Sequence, residues 1–296
     1  MHEQQDGEGA RGFVVSDRLA VRKTYKLFIG GAFPRSESGR SYEVTDAKGG
    51  FLANAARASR KDVRDAVSAA RKAFGGWSGR TPYNRGQILY RVAEMLEGRR
   101  AQFVDEVRAT GLRRSAAEAE VDAAIDRWVW YAGWADKVGA VAGAANPVAG
   151  PYFNFSTPEP TGVVGIVAPD SALLGLVSVV APAIVTGNTC VVIAAQPLAA
   201  ITLAEVLATS DLPGGVVNIL TGHRAELAPW LASHMDVNAI DLAGADTELA
   251  TACAEAAAEN LKRVVRPAAV DWTADPGTTR LTAFLETKTV WHPVGV

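Results

Sequence analysis

GVVGIVAPDSALLGLVSVVAPAIVTGNTCVVIAA, residues 162–195, decides the fold. It opens and closes on runs rich in valine and isoleucine, GVVGIVAP (162–169) and NTCVVIAA (188–195). Both are short and β-branched and lack the apolar–polar alternation of a half-exposed strand. Such runs suit strands buried on both faces, as in a parallel sheet. Downstream, GVVNIL (215–220), NAIDLAG (238–244) and KRVVRP (262–267) repeat the pattern. Their starts fall roughly 20 to 30 residues apart, the spacing of successive βα units. The expectation is an α/β protein with a doubly wound parallel sheet.

Upstream the period changes to that of helices. Ser59 is placed as an N-cap, with Val63, Ala66, Val67, Ala70 and Phe74 following on one face. A second helix opens at Pro82 and carries Ile88, Leu89, Val92, Met95 and Leu96 as its stripe. A third is expected from a capping box, Ser115 with Glu118, and ends in Trp128, Trp130, Tyr131 and Trp134, an aromatic group read as core or interface packing. Before these, Tyr25 to Phe33 reads as a short hairpin, whose KLFIGGAF (26–33) turns at Gly30 and Gly31. At the other end, DWTADPGTT (271–279) is polar, and in LTAFLETKTVWHP (281–293) Thr287, Thr289 and Trp291 alternate with Lys288, Val290 and His292. That alternation fits a strand added to a sheet edge, on this chain or on another subunit. The chain divides into a disordered lead-in (1–22), a hairpin with helices (23–150), a βα core (151–268), and a linker with a terminal strand (269–296).

Of the 296 residues 48% are hydrophobic, enough for a substantial core. A formal net charge of −2 supplies no basic field for nucleic acid or anionic lipid, so neither is expected as a partner. Two cysteines, Cys190 and Cys253, suit a reducing compartment and give no disulfide framework or metal set. The apolar stretch 177–185 contains Pro182 and is too short to span a membrane, and no signal-peptide core precedes the hairpin. A cytoplasmic location is expected.

These segments, taken in order, resemble the aldehyde dehydrogenase superfamily from Lys26 onward. The resemblance rests on KLFIGGAF, SRKDVRDAVSAARKAFGGWS, RVAEMLEGRR, DRWVWYAGWADKV, EPTGVVGIVAP, APAIVTGNT, LPGGVVNILTG and AENLKRV. It implies a Rossmann-like NAD-binding domain with strands of a small oligomerisation domain. LTAFLETKTVWHP is similar to that family's C-terminal oligomerisation strand, which implies an assembly role for Thr287, Lys288, Thr289, Val290 and Trp291. In the family a whole catalytic domain separates that strand from NLKRV. Here about a dozen residues lie between them, so the chain is expected to be a truncated member lacking the nucleophilic cysteine.

The resemblance also implies where chemistry would sit. Aldehyde oxidation needs a thiolate, an oxyanion donor, a base and NAD. The oxyanion asparagine of the family falls in a Pro-Trp-Asn turn that is Pro169, Asp170 and Ser171 here, placing a carboxylate beside the oxyanion position. The general-base glutamate and its two following glycines correspond to Arg266, Pro267, Ala268 and Ala269. The lysine and proline that hold the adenosine ribose become the apolar run 193–195, beginning with Ile193. The glycine turn after the third core strand becomes His223-Arg224-Ala225, and the glycine-serine turn of the next helix becomes Gly244-Ala245. His223 and Arg224 admit two readings, a solvated loop or a basic pair holding an anion or another nucleotide. His234 and His292 read as isolated surface or interface residues. The expectation is therefore no bound cofactor, or NAD held weakly, and a catalytically inactive subunit in a homo- or hetero-oligomer, with a full-length aldehyde dehydrogenase as the partner. An active NAD(P)-dependent aldehyde dehydrogenase and a nucleotide-sensing domain are the alternatives.

Overall fold

The computed structural model describes residues 23–295, so the lead-in expected at 1–22 lies outside the described residues. The chain enters through β1 (Thr24–Tyr25) and then reverses at Gly30 and Gly31, whose φ values of 63° and 85° favour residues without a β-carbon. Ile29 bridges Ala32 across this turn, and Phe28 bridges Ile219, so the expected hairpin is present and is tied to the main sheet. A second hairpin, β2 (Ser41–Thr45) with β3 (Phe51–Ala56), adds to the sequence expectation. Its turn is organised by Asp46, whose carboxylate accepts from the Lys48 and Gly50 amides at 2.8 and 2.7 Å.

Five helices follow instead of the three expected: α1 (Arg60–Ser78), α2 (Pro82–Glu97), α3 (Arg100–Ala109), α4 (Arg114–Trp134) and α5 (Val138–Ala142). Ser59 caps α1 as anticipated, reciprocally with Asp62. Trp77, one turn beyond the expected stripe, is buried and donates its indole N–H to the Ile184 carbonyl at 2.8 Å. The capping box at Ser115 is not formed. Helix α4 begins two residues earlier, with Arg113 at its N-cap and no side-chain cap, and Glu118 instead pairs with Arg114 at 2.9 Å. The aromatic group at the end of α4 packs as read: Trp128 and Tyr131 are fully buried, and Trp130 lies edge-on to Tyr131 with centroids 4.9 Å apart.

Beyond them come β4 (Ala144–Asn146) and β5 (Tyr152–Pro160), then the alternating series β6 (Val163–Val167), α6 (Leu174–Val185), β7 (Thr189–Ile193), α7 (Pro197–Ala208), β8 (Val217–Leu220), α8 (Arg224–Ser233), β9 (Ala239–Asp241), α9 (Thr247–Ala258) and β10 (Arg263–Val265), followed by α10 (Thr279–Thr282) and β11 (Leu285–Pro293). Each apolar run of the sequence supplies one strand of a five-stranded sheet, ordered β10-β9-β6-β7-β8 and parallel throughout. Side chains alternate between its faces. Val164, Ile166, Cys190 and Val192 join the core under α6 and α7, while Val163, Val167, Val191 and Ile193 pack under α1, α8 and α9. All twelve residues of α6 are buried.

The order reverses between β6 and β9, and ligands of open α/β sheets bind at the carboxyl ends of strands at such a switch point. A separate three-stranded antiparallel sheet, β11-β5-β4, lies apart from it. There β11 pairs with β5 of its own chain over nine positions, from Leu285 opposite Pro160 to Pro293 opposite Tyr152.

Candidate functional site

The loops leaving β6 and β9 meet at the switch point. The Gly244 amide donates to the Val167 carbonyl at 2.9 Å, and a β-carbon on Gly244 would stand 1.9 Å from the Ala168 carbonyl oxygen. Only glycine fits that contact. Arg224, the first residue of α8, donates from Nη1 to the Gly244 carbonyl at 2.7 Å and pairs through Nη2 with the Asp170 carboxylate. One guanidinium thus ties the two loops together across the crevice.

The α6 end of the crevice is filled from the opposite side. Glu120, on α4, accepts from the Ser171 hydroxyl and the Leu173 amide, both at 2.9 Å, and from the Leu174 amide at 3.3 Å. Ser171 in turn accepts from the Gly175 amide at 2.8 Å. The backbone donors at a helix N-terminus attract anions, and here a side chain of the same chain already holds them. Glu120 was absent from the sequence expectation. It is 51 positions from Ser171, and nothing local distinguishes it from Glu118 or Asp122.

The remaining positions follow the same pattern. Pro169 packs against the opening of α6, and Ile193 is fully buried within β7, leaving no polar group at the ribose position. His223 stands as N-cap of α8 without a capping bond, its ring 6.0 Å from that of Tyr42, whose hydroxyl burial pushes up to about 12. Ala245 is buried and donates to the Leu242 carbonyl at 2.9 Å. The N-cap of α9 is Asp246, whose carboxylate accepts from the Leu249 amide at 2.8 Å. Asp170, Glu120 and Asp246 place three carboxylates around the crevice against one guanidinium, a balance that opposes an incoming pyrophosphate. The residues present therefore do not fit a dinucleotide held by its phosphates.

Neither thiol is available for attack. Cys190 sits in the middle of the sheet and burial drives its thiol far above the ordinary range, while Cys253 on α9 is buried and pushed up to about 11. Arg266, Pro267, Ala268 and Ala269 run along the surface after β10, with no carboxylate among them. His292 is exposed, and His234 accepts the Asp236 amide at Nδ1. Among the described residues no group of three or more His, Cys, Asp or Glu is placed to hold a metal ion, and no helix is long and apolar enough to cross a membrane.

The segment between β10 and β11 is anchored rather than loose. Arg127 on α4 donates to the Ser178 hydroxyl at 2.9 Å and to the carbonyls of Trp272 and Ala274 at 2.8 and 3.0 Å. Arg280 pairs with Asp241, which is fully buried in β9, and lies 5.0 Å from the Trp272 ring centre. The carboxylate inside the apolar run NAIDLAG is the local signal in the sequence for such a buried pair. In the small sheet, Thr287, Lys288, Thr289, Val290 and Trp291 lie opposite Pro158, Thr157, Ser156, Phe155 and Asn154. Ser156 and Thr289 share a hydroxyl hydrogen bond of 2.9 Å, Lys288 pairs with Glu159 at 3.0 Å, and Trp291 meets Tyr152 edge-on.

A five-stranded parallel sheet with one order reversal and a crevice at that reversal defines a protein of the Rossmann type. A family profile narrows this class: the chain belongs to the aldehyde dehydrogenase family, whose profile matches residues 33–267. It is 34% identical over 252 residues to a cytosolic aldehyde dehydrogenase 1 of Elephantulus edwardii, covering 81% of this chain and 49% of that protein. It is likewise 34% identical over 256 residues to human retinal dehydrogenase 2, covering 83% and 48%. Among solved structures, HpcC from Thermus thermophilus superposes with a TM-score of 0.77 at 31% identity over 82% of this chain and 47% of that one. An NAD+ complex of an aldehyde dehydrogenase from Bacillus cereus gives 0.77 at 27% identity over 82% and 50%. The chain spans about half the length of the curated relatives it matches.

Proposed function

We propose that this chain is an aldehyde dehydrogenase-fold subunit without dehydrogenase chemistry of its own, acting in assembly or regulation through its small sheet. A full-length aldehyde dehydrogenase is the partner, and the cytoplasm, where two free thiols persist, is the setting. One observation carries the reading: the donors that would receive a cofactor phosphate or an oxyanion, the Leu173, Leu174 and Leu249 amides and the Arg224 guanidinium, are already bonded to Glu120, Asp246 and Asp170 of the same chain. Transition-state stabilisation requires donors aimed at developing charge, and a resident carboxylate there repels that charge.

The small sheet supports the second half of the proposal. Tyr152, Phe153 and Trp291 are exposed on it, and β11 offers its outer edge to a further strand. The purified chain, given NAD or NADP and a series of aldehydes, is expected to produce no reduced nicotinamide. Aldehyde-dependent reduction that disappears in Cys190→Ala or Cys253→Ala would instead establish an active dehydrogenase. Tagged chain purified from its native host is expected to bring a full-length aldehyde dehydrogenase with it, and a lone monomer in that experiment removes the assembly role.

A further inference from the structure

A trough of about 540 Å³ runs between the start of α1 and the flank of α8. Three guanidinium groups, those of Arg40, Arg57 and Arg60, line it against a single carboxylate, Glu226, which pairs with Arg57. Among the described residues neither Arg40 nor Arg60 has a carboxylate partner. Arg60 instead lies flat over the Trp230 indole, 4.0 Å from its ring centre, and Trp230 is 42% exposed. Past this point the trough continues toward His234, but there Lys61 and Arg64 are already neutralised by Glu37 and Asp65.

The placement of these charges works against the fold's own electrostatics. Arg60 is the first residue of α1, where the helix field is positive and a cation is unfavourable. Arg40 adds unpaired like charge to the same rim, while Arg57 is paired with Glu226, in a chain whose formal net charge is −2. An anion in the trough relieves both costs, and guanidinium groups hold phosphate through paired, charge-assisted bonds. The outer face of the stacked Arg60 offers a planar platform, since guanidinium stacks on aromatic rings. The volume lies within the range that encloses a small molecule.

We propose that this trough is a binding site for a phosphate monoester carrying a planar ring system, with Arg40 and Arg60 holding the phosphate and the Arg60–Trp230 stack supporting the ring. It lies outside the switch-point crevice and does not depend on the assembly role. Calorimetric titration of the purified chain with inorganic phosphate, adenosine monophosphate and adenosine tests it. The monophosphate is expected to bind saturably and more tightly than phosphate, and adenosine to give no saturable heat. Arg40→Ala and Arg60→Ala each weaken the monophosphate about tenfold, the loss of one charge-assisted bond. Trp230→Ala weakens the monophosphate while sparing inorganic phosphate, and Arg91→Ala, on α2, changes neither. The absence of saturable binding by the monophosphate overturns the proposal. So does binding that survives loss of both arginines, or binding lost in Arg224→Ala alone, which would place the ligand in the crevice.

Discussion

Glu120 and Arg224 reach the switch point from α4 and α8, and each satisfies backbone groups that a ligand would otherwise meet. Because Glu120 is the acceptor for two amides at the start of α6, Glu120→Ala leaves them unpaired. The expected loss is about 1 to 3 kcal/mol of unfolding free energy in urea titration, with Glu120→Gln losing less because its amide oxygen still accepts. Lys262 gives a pH-dependent readout. Burial lowers its ammonium from 10.5 to about 8, so between those values the unfolded chain binds more protons than the folded one. Stability is therefore expected to rise as pH climbs through that window and to fall as pH drops through 8, and Lys262→Met should flatten the slope in denaturant midpoints. Pro169, His223 and Gly244 were placed by the family resemblance, which set each of them in a loop following a core strand. The groups that fill the crevice were not, because a partner 51 positions away leaves no mark in the neighbouring sequence.

The strands β6 to β10 were readable because burial on both faces writes itself as uninterrupted valine and isoleucine. Helix α3 was missed because only Gly98 and Arg99 part it from α2, and the hairpin β2–β3 because its strands are half exposed and weakly patterned. The alternation in β11 revealed a strand but not its neighbour, since pairing is set by the tertiary fold. That strand has one edge against β5 and one open, so adjacent residues send their N–H groups in opposite directions. Of Thr289→Pro and Val290→Pro, the one facing β5 is expected to lose about 3 kcal/mol in thermal or chemical unfolding of the isolated chain. The one facing outward should leave that stability within about 0.5 kcal/mol yet abolish co-purification with the proposed dehydrogenase partner. Two variants that behave alike in both assays would argue against docking at this edge.

For the molecule as a whole, the segment joining β10 to β11 is held by Arg127 and by the pairing of Arg280 with buried Asp241. Arg280→Met strands that carboxylate in the interior and is expected to cost about 3 to 5 kcal/mol by calorimetric or denaturant unfolding. Combining it with Asp241→Asn should recover much of the loss, and failure to recover would mean that Arg280 acts by packing alone. The small sheet has a consequence in time rather than in energy. Ser156 and Thr289, bonded across it, are 133 positions apart in the chain. The β4–β5 ribbon thus leaves the ribosome long before its third strand exists, while the α/β core between them can already condense. Throughout that interval the ribbon displays a vacant flank beside Tyr152 and Phe153. Translation speed over the intervening codons therefore sets how long a foreign strand, including β11 from a sister polypeptide, has to take the seat first.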